Sequence, residues 1–288
     1  MTSLNLLSTS PQQQQQQLES QAGVTRNCTA VAGMMQNSKT ESGDTVPADE
    51  NPVEDGKPAD VDEDGCTALH KAAAEGHTEE VKRLLKAGVV VDARAQGARV
   101  CGGTALHLAA SKGHTAVVQQ LLDGQASVDM VDAAGWTAVQ LAAYWGHATV
   151  VQLLLDAQAA VDAVGKGGMT ALHLAASRGH TTVVQRLLAS GASVVAAPAK
   201  GPTPLHMAAR MGHAAVVQLL LDAHAPPDAV GCQIATALHE AAQAGHTDVV
   251  QQLLDAQAAV DSTASDAVGE SGVTALHMAA SRGHTAVV

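Results

Sequence analysis

Thr67, Thr104, Thr137, Thr170, Thr203, Thr236 and Thr274 each open the same phrase: Thr, a small residue, an aliphatic, usually His, and after a fixed gap Gly-His. Successive Thr residues lie 37, 33, 33, 33, 33 and 38 positions apart. A period held this strictly marks a stacked-repeat solenoid and leaves little room for a globular reading. One such unit cannot cover its own apolar face, so a core exists only where neighbours stack. The surface of a solenoid is long and continuous, and its usual business is recognition rather than catalysis.

Within the fourth unit, Leu172, Ala175 and Ala176 recur at i, i+3 and i+4, which predicts one short helix. Val184, Leu187 and Leu188 predict a second. Thr170 stands where an N-cap belongs, and Gly179 separates the two helices. The paired Ala residues let first helices of neighbouring units approach closely, while Val and Leu fill the space between layers. A core built this way needs no large aromatics, and the chain has no Phe.

The phrase resembles the ankyrin repeat over roughly residues 62–288, in seven tandem copies of which the last is incomplete. The resemblance implies an all-α repeat solenoid of stacked helix-turn-helix units with β-hairpin fingers. It also implies that the signature histidines brace turns by hydrogen bonds. That accounts for thirteen of the fourteen His residues and leaves only His224 outside the pattern. No cofactor or metal site is expected. His239-Glu240-Ala241-Ala242-Gln243 misses the HExxH zinc motif by its final His, and Gly165-Lys166-Gly167-Gly168-Met169-Thr170 matches no phosphate-loop pattern. No nucleophile elbow or paired-acid site is evident, so the chain reads as a non-enzyme.

Residues 1–61 are a different material: a Gln12–Gln17 run, then Ser, Asn, Asp, Glu and Pro with few aliphatics. Such a composition buries too little apolar surface to offset its ordering entropy and predicts a disordered acidic, Gln-rich tail. Of the net charge of −12, −8 falls on residues 1–64. No run approaches the ~18 apolar residues of a membrane span, and no secretory signal is seen. Cys28, Cys66, Cys101 and Cys232 form no CxxC pair, which suits reduced thiols in a cytoplasmic or nuclear protein.

Departures from the repeat carry more information than its agreements. The first unit is rich in charge and suits an N-terminal cap. Extra residues lengthen two fingers, around Ala95–Val100 and Ser262–Asp266, and the chain stops at Val287-Val288 before a seventh Leu-Leu pair. The family places Gly after the second helix, as at Gly88 and Gly191, but Gln125, Gln158, His224 and Gln257 stand there in other units.

In ankyrin-like proteins, partners meet the fingers and the exposed end of the first helix. The chain's three aromatics, Trp136, Tyr144 and Trp145, all fall in those slots, as do Lys112, Lys166, Arg178, Lys200, Arg210 and Arg282. Together they predict a partner-binding face on an otherwise acidic protein, to which the tail could fold back. The expected function is a monomeric protein–protein interaction scaffold or adaptor that binds a partner protein on the concave finger and first-helix face. Nucleic acid is excluded as a partner by the negative charge and the lack of a dense basic stripe. The alternative is the recognition region of a longer protein with a catalytic domain, such as a kinase, ubiquitin ligase or acyltransferase, beyond Val288.

Overall fold

A computed structural model describes residues 61–62, 65–95, 102–165, 167–197, 201–231, 235–265 and 271–288. A compact unit spans Gly56–Val288, and the following description is of that unit. All of the tail expected over residues 1–61 except Val61, together with Cys101, Lys166, Lys200 and most of the first long finger, lies outside the described residues.

The phrase becomes two antiparallel helices in each of the first six repeats. The first helices are α1 (Ala68–Glu75), α3 (Ala105–Lys112), α5 (Ala138–Trp145), α7 (Ala171–Arg178), α9 (Pro204–Met211) and α11 (Ala237–Ala244). Their partners are α2 (Thr78–Lys86), α4 (Thr115–Asp123), α6 (Ala148–Asp156), α8 (Thr181–Ala189), α10 (Ala214–Asp222) and α12 (Thr247–Asp255). The seventh repeat contributes α13 (Ala275–Ser281). At the second insertion, β1 (Ala264–Ser265) and β2 (Ser271–Val273) pair antiparallel, with Ala264 opposite Val273.

Helices this short are marginal by themselves, so their ends and their packing decide whether they form. Each first helix begins at a Thr with extended backbone, for example Thr170 at φ −95°, ψ 170°. Each of α1, α3, α5, α7, α9 and α11 ends at a Gly in the left-handed region, such as Gly179 at φ 72°. First helices stack on first helices and second on second. The small pairs Ala109–Ala110, Ala142–Ala143, Ala175–Ala176 and Ala208–Ala209 are wholly buried between them. One continuous apolar core runs from Leu69 to Ala279, with Val183, Val184 and Leu187 typical of what the second helices contribute.

Aspartates at the finger bases join successive fingers. Asp129 accepts the Ala160 amide at 2.9 Å, Asp162 the Ser193 amide at 3.0 Å and Asp228 the Ala259 amide at 2.7 Å. Asp92 accepts both the amide and the hydroxyl of Ser127. The joint between the fourth and fifth repeats is different. By the same spacing its acceptor position is Val195 and its donor position is Pro226, which has no amide hydrogen. Acceptor and donor are thus missing together, so neither is stranded without the other.

The residues that replace the post-helix Gly keep its backbone. Gln125, Gln158, His224 and Gln257 have φ of 63°, 66°, 63° and 63°. All four side chains are exposed, so no packing offsets the left-handed strain. Replacing Gln158 by Gly relieves a strain of roughly 1–2 kcal/mol and adds somewhat less unfolded-state freedom. The net gain of up to about 1 kcal/mol raises the melting temperature by roughly 2–4 °C. Thermal denaturation of Gln158→Gly followed by circular dichroism checks this; a fall contradicts it.

Candidate functional site on the first-helix face

Two histidine series hold the first helices in register. In the Thr phrase, the Thr104 amide donates to Nδ1 of His107 at 3.1 Å, and the Thr104 hydroxyl lies 2.9 Å from the same nitrogen. An Nδ1 that accepts an amide hydrogen carries no proton, which leaves the proton on Nε2. That Nε2–H points into the next finger, 2.9 Å from the Met130 carbonyl and 3.1 Å from that of Trp136. His173 reaches the Pro202 carbonyl, His206 that of Ala235 and His239 that of Val273 in the same way. Each of these links crosses from one repeat to the next.

The third repeat makes the same link with an amide. The Thr137 amide donates to Oε1 of Gln140 at 2.9 Å, and Nε2 of Gln140 donates to Ala163 and Met169 carbonyls, each at 2.9 Å. Gln140 is thus a non-titrating copy of the histidine.

The second series reaches backward. Nε2 of His147 donates to the Ser111 carbonyl at 3.1 Å, His180 to Tyr144 at 3.0 Å, His213 to Ser177 at 3.2 Å and His246 to Arg210 at 3.1 Å. Each imidazole lies flat against the Gly that ends the preceding first helix. A Cβ on Gly113 would stand 2.5 Å from the His147 ring, and one on Gly179 2.7 Å from that of His213. Gly is therefore required at these positions twice, for its backbone and for the space above it. The same carbonyl-bearing residues lie at or beside the helix ends that display the candidate binding residues.

Four exposed side chains share one position in the last turn of successive first helices: Lys112, Trp145, Arg178 and Met211. They alternate cation, apolar, cation, apolar. Glu75 precedes them in the same position, and Ala244 and Arg282 follow. Trp145 is 46% exposed and Met211 51%. Below them lie the half-buried Leu108 and Leu141 and the buried Leu174 and Met207. Arg178 is held in place, its guanidinium carbon 4.1 Å from the centre of the Tyr144 ring. Arg210 donates to Sδ of Met207 at 3.4 Å. Among the described residues, no ion pair uses Lys112, Arg178, Arg210 or Arg282.

The three aromatics touch but do not play one role. Trp136 and Tyr144 meet edge to face at 5.6 Å, and Tyr144 and Trp145 at 5.2 Å. Trp136 is only 8% exposed and Tyr144 4%. Both support the face from beneath, and Trp145 is the one of the three that presents its ring to solvent. Sequence position alone missed this division, and it also missed Met211, whose exposure follows from its sharing a register with Trp145.

Charge at the edge of this face is set by burial. Desolvation raises the Glu240 carboxyl pKa above its ordinary value, partly opposed by Arg210. Desolvation likewise lowers the pKa values of His107, His206 and His239, and holds that of His173 down to about 4 from 6.5.

The stacked first and second helices define the class: a helical repeat solenoid. The family model for ankyrin repeats matches residues 49–132, 90–164, 159–230 and 229–288, and the chain belongs to the ankyrin-repeat family. Among solved structures, it is similar to the ankyrin repeat domain of human ASB11, with 30% sequence identity over 74% of this chain and 92% of that one, at a TM-score of 0.64. No curated protein matches the chain. No helix of the described residues is long and apolar enough to cross a membrane.

The buried histidines make stability depend on pH. Between the unfolded pKa near 6.5 and the folded value near 4, the unfolded state binds more protons at His173. The contribution of His173 is therefore present above pH 6.5 and is lost as pH drops toward 4, by about 3 kcal/mol. His173→Gln, which copies Gln140, removes that part of the acid sensitivity while keeping both hydrogen bonds. Melting temperatures at pH 7.5 and pH 4.5 should differ less in the variant than in the wild type; an equal or larger difference contradicts the assignment.

Proposed function

We propose that this chain is a protein-binding scaffold whose partner docks on the first-helix face. Ankyrin repeats are generally protein–protein interaction modules, and that much follows from the family. The observation that supports this face is the run of exposed side chains at one position of adjacent helices, in which Trp145 and Met211 alternate with Lys112 and Arg178, neither cation in an ion pair among the described residues. Trp and Arg are the residues most often found as binding hot spots, and here both sit on rigid, buried supports.

The mechanism is display. The helices that carry the row are fixed before a partner arrives, so little conformational entropy is lost on binding. Trp145 supplies contact area, Arg178 and Lys112 steer an acidic surface, and Arg210 and Arg282 extend the same polarity. Lys166 and Lys200 belong to this proposal by their finger positions alone. Trp136 and Tyr144 act through Trp145 and Arg178 by holding them in position.

This division changes the appropriate experiment. Alanine at Trp136 or Tyr144 empties buried space and costs several kcal/mol of stability, about 3–5 for such side chains, so loss of binding there has no clear meaning. The informative variant is Trp145→Ala with Arg178→Ala. Quantitative pull-downs should show partners of the wild type depleted at least about tenfold by this pair, equivalent to 1.4 kcal/mol or more. Gln185→Ala on the exposed side of α8 should leave them unchanged. Equal depletion by both variants, or by neither, contradicts the placement of the site.

A further inference from the structure

The first-helix row has a spacing as well as a composition. Packed helices lie roughly 8–10 Å apart, so side chains in the same position of successive repeats stand about that far from one another. A polyproline II helix has three residues per turn and rises 3.1 Å per residue, or about 9.3 Å per turn. Residues i, i+3, i+6 and i+9 of such a segment therefore lie on one face at nearly the spacing of four repeats. A β-strand of similar rise does not do this, because its alternate residues point to opposite sides.

From this match we infer that the row Lys112, Trp145, Arg178 and Met211 is the docking site for an extended acidic segment in polyproline II conformation, with acidic and apolar residues alternating every third position. The inference rests on the first-helix face being the binding surface and adds the partner's chemistry to it. Carboxylates meet Lys112 and Arg178, and aliphatic side chains lie on Trp145 and Met211. The Arg178 guanidinium, lying on the Tyr144 ring, is already placed where a carboxylate would meet it. A polyproline II ligand is preformed and loses little entropy on docking, and the exposed Trp145 ring offers it an aromatic surface.

The chemistry of the row also sets the length of the site. Glu75 occupies the same position one repeat before Lys112, and Ala244 occupies it one repeat after Met211. A carboxylate at one end opposes an acidic segment that extends further, and the short Ala244 side chain at the other offers it no charge to meet. Four repeats and three intervals correspond to a segment of ten residues.

Fluorescein-labelled peptides and the full chain provide the test, read by fluorescence anisotropy at low salt. One peptide carries Glu at positions 1 and 7, Leu at positions 4 and 10, and Pro elsewhere; a second is its reversed sequence, because a polyproline II segment can run in either direction. A third has the same composition with Glu at 1 and 5 and Leu at 3 and 7. The inference predicts that the first or second peptide binds at least about tenfold more tightly than the third, and that its affinity falls with added salt. Arg178→Glu should weaken that binding at least about tenfold and Gln185→Glu should not, with both variants keeping the wild-type circular dichroism spectrum. Equal binding of all three peptides, no binding by any, or full binding to Arg178→Glu overturns the inference. A helical peptide with Glu and Leu seven positions apart that binds more tightly than all three overturns it as well. Loss of natural partners on mutation of Trp145 and Arg178, combined with failure of the peptides, rejects the polyproline II segment and leaves the face intact. Failure of both rejects the face.

Discussion

One hydrogen-bonded link recurs at the heart of the array: a side chain that accepts from the amide of its own Thr and donates into the finger of the next repeat. His107, His173, His206 and His239 make it with an imidazole, and Gln140 makes it with an amide. Everything else about the stack depends on the register it sets. The paired Ala residues can be wholly buried only if first helices sit at one separation, and the backward-reaching imidazoles fit over the helix ends only because Gly stands there. A second link of opposite direction, from His147, His180, His213 and His246, closes each joint from the other side. Buried polar groups that are fully satisfied in this way rigidify a structure, whereas partly satisfied ones weaken it.

Most of the fold was legible in the sequence, because it is written seven times. The Thr caps, the Ala pairs, the Gly breaks and the left-handed turns at Gln125, Gln158, His224 and Gln257 all follow from position within the phrase. The directions of the histidines do not. Their residue type shows that they can donate and accept, but which carbonyl they meet depends on the stacking of the neighbour. Gln140 carried a readable signal, since an amide in a histidine's place shares its hydrogen-bonding pattern and lacks its charge. The paired loss at Val195 and Pro226 was readable too, once the Asp at each finger base is known to face the amide of the next.

The candidate site was legible only in part. The slots for Lys112, Trp145, Arg178 and Arg210 follow from the repeat, yet burial separates residues that the slots treat alike. Tyr144 and Trp145 are adjacent in sequence and differ by about one helical step of 100°, so one turns beneath the stack and the other turns out. Trp136 sits beside the Thr cap, where its carbonyl accepts from His107 and its ring packs on Tyr144. Sequence periodicity identifies where a face lies; it does not tell which large side chains form its floor.

The inter-repeat links fix the helices, and the fixed helices present the row. Hydrogen exchange of His173→Ala tests that dependence most directly. Losing the imidazole opens the joint between the fourth and fifth repeats, so exchange should quicken in α7 and α9 with little change in α1 and α2. Exchange unchanged in α7 and α9 would contradict it, because the link would then be a consequence of the stack rather than a cause of its register.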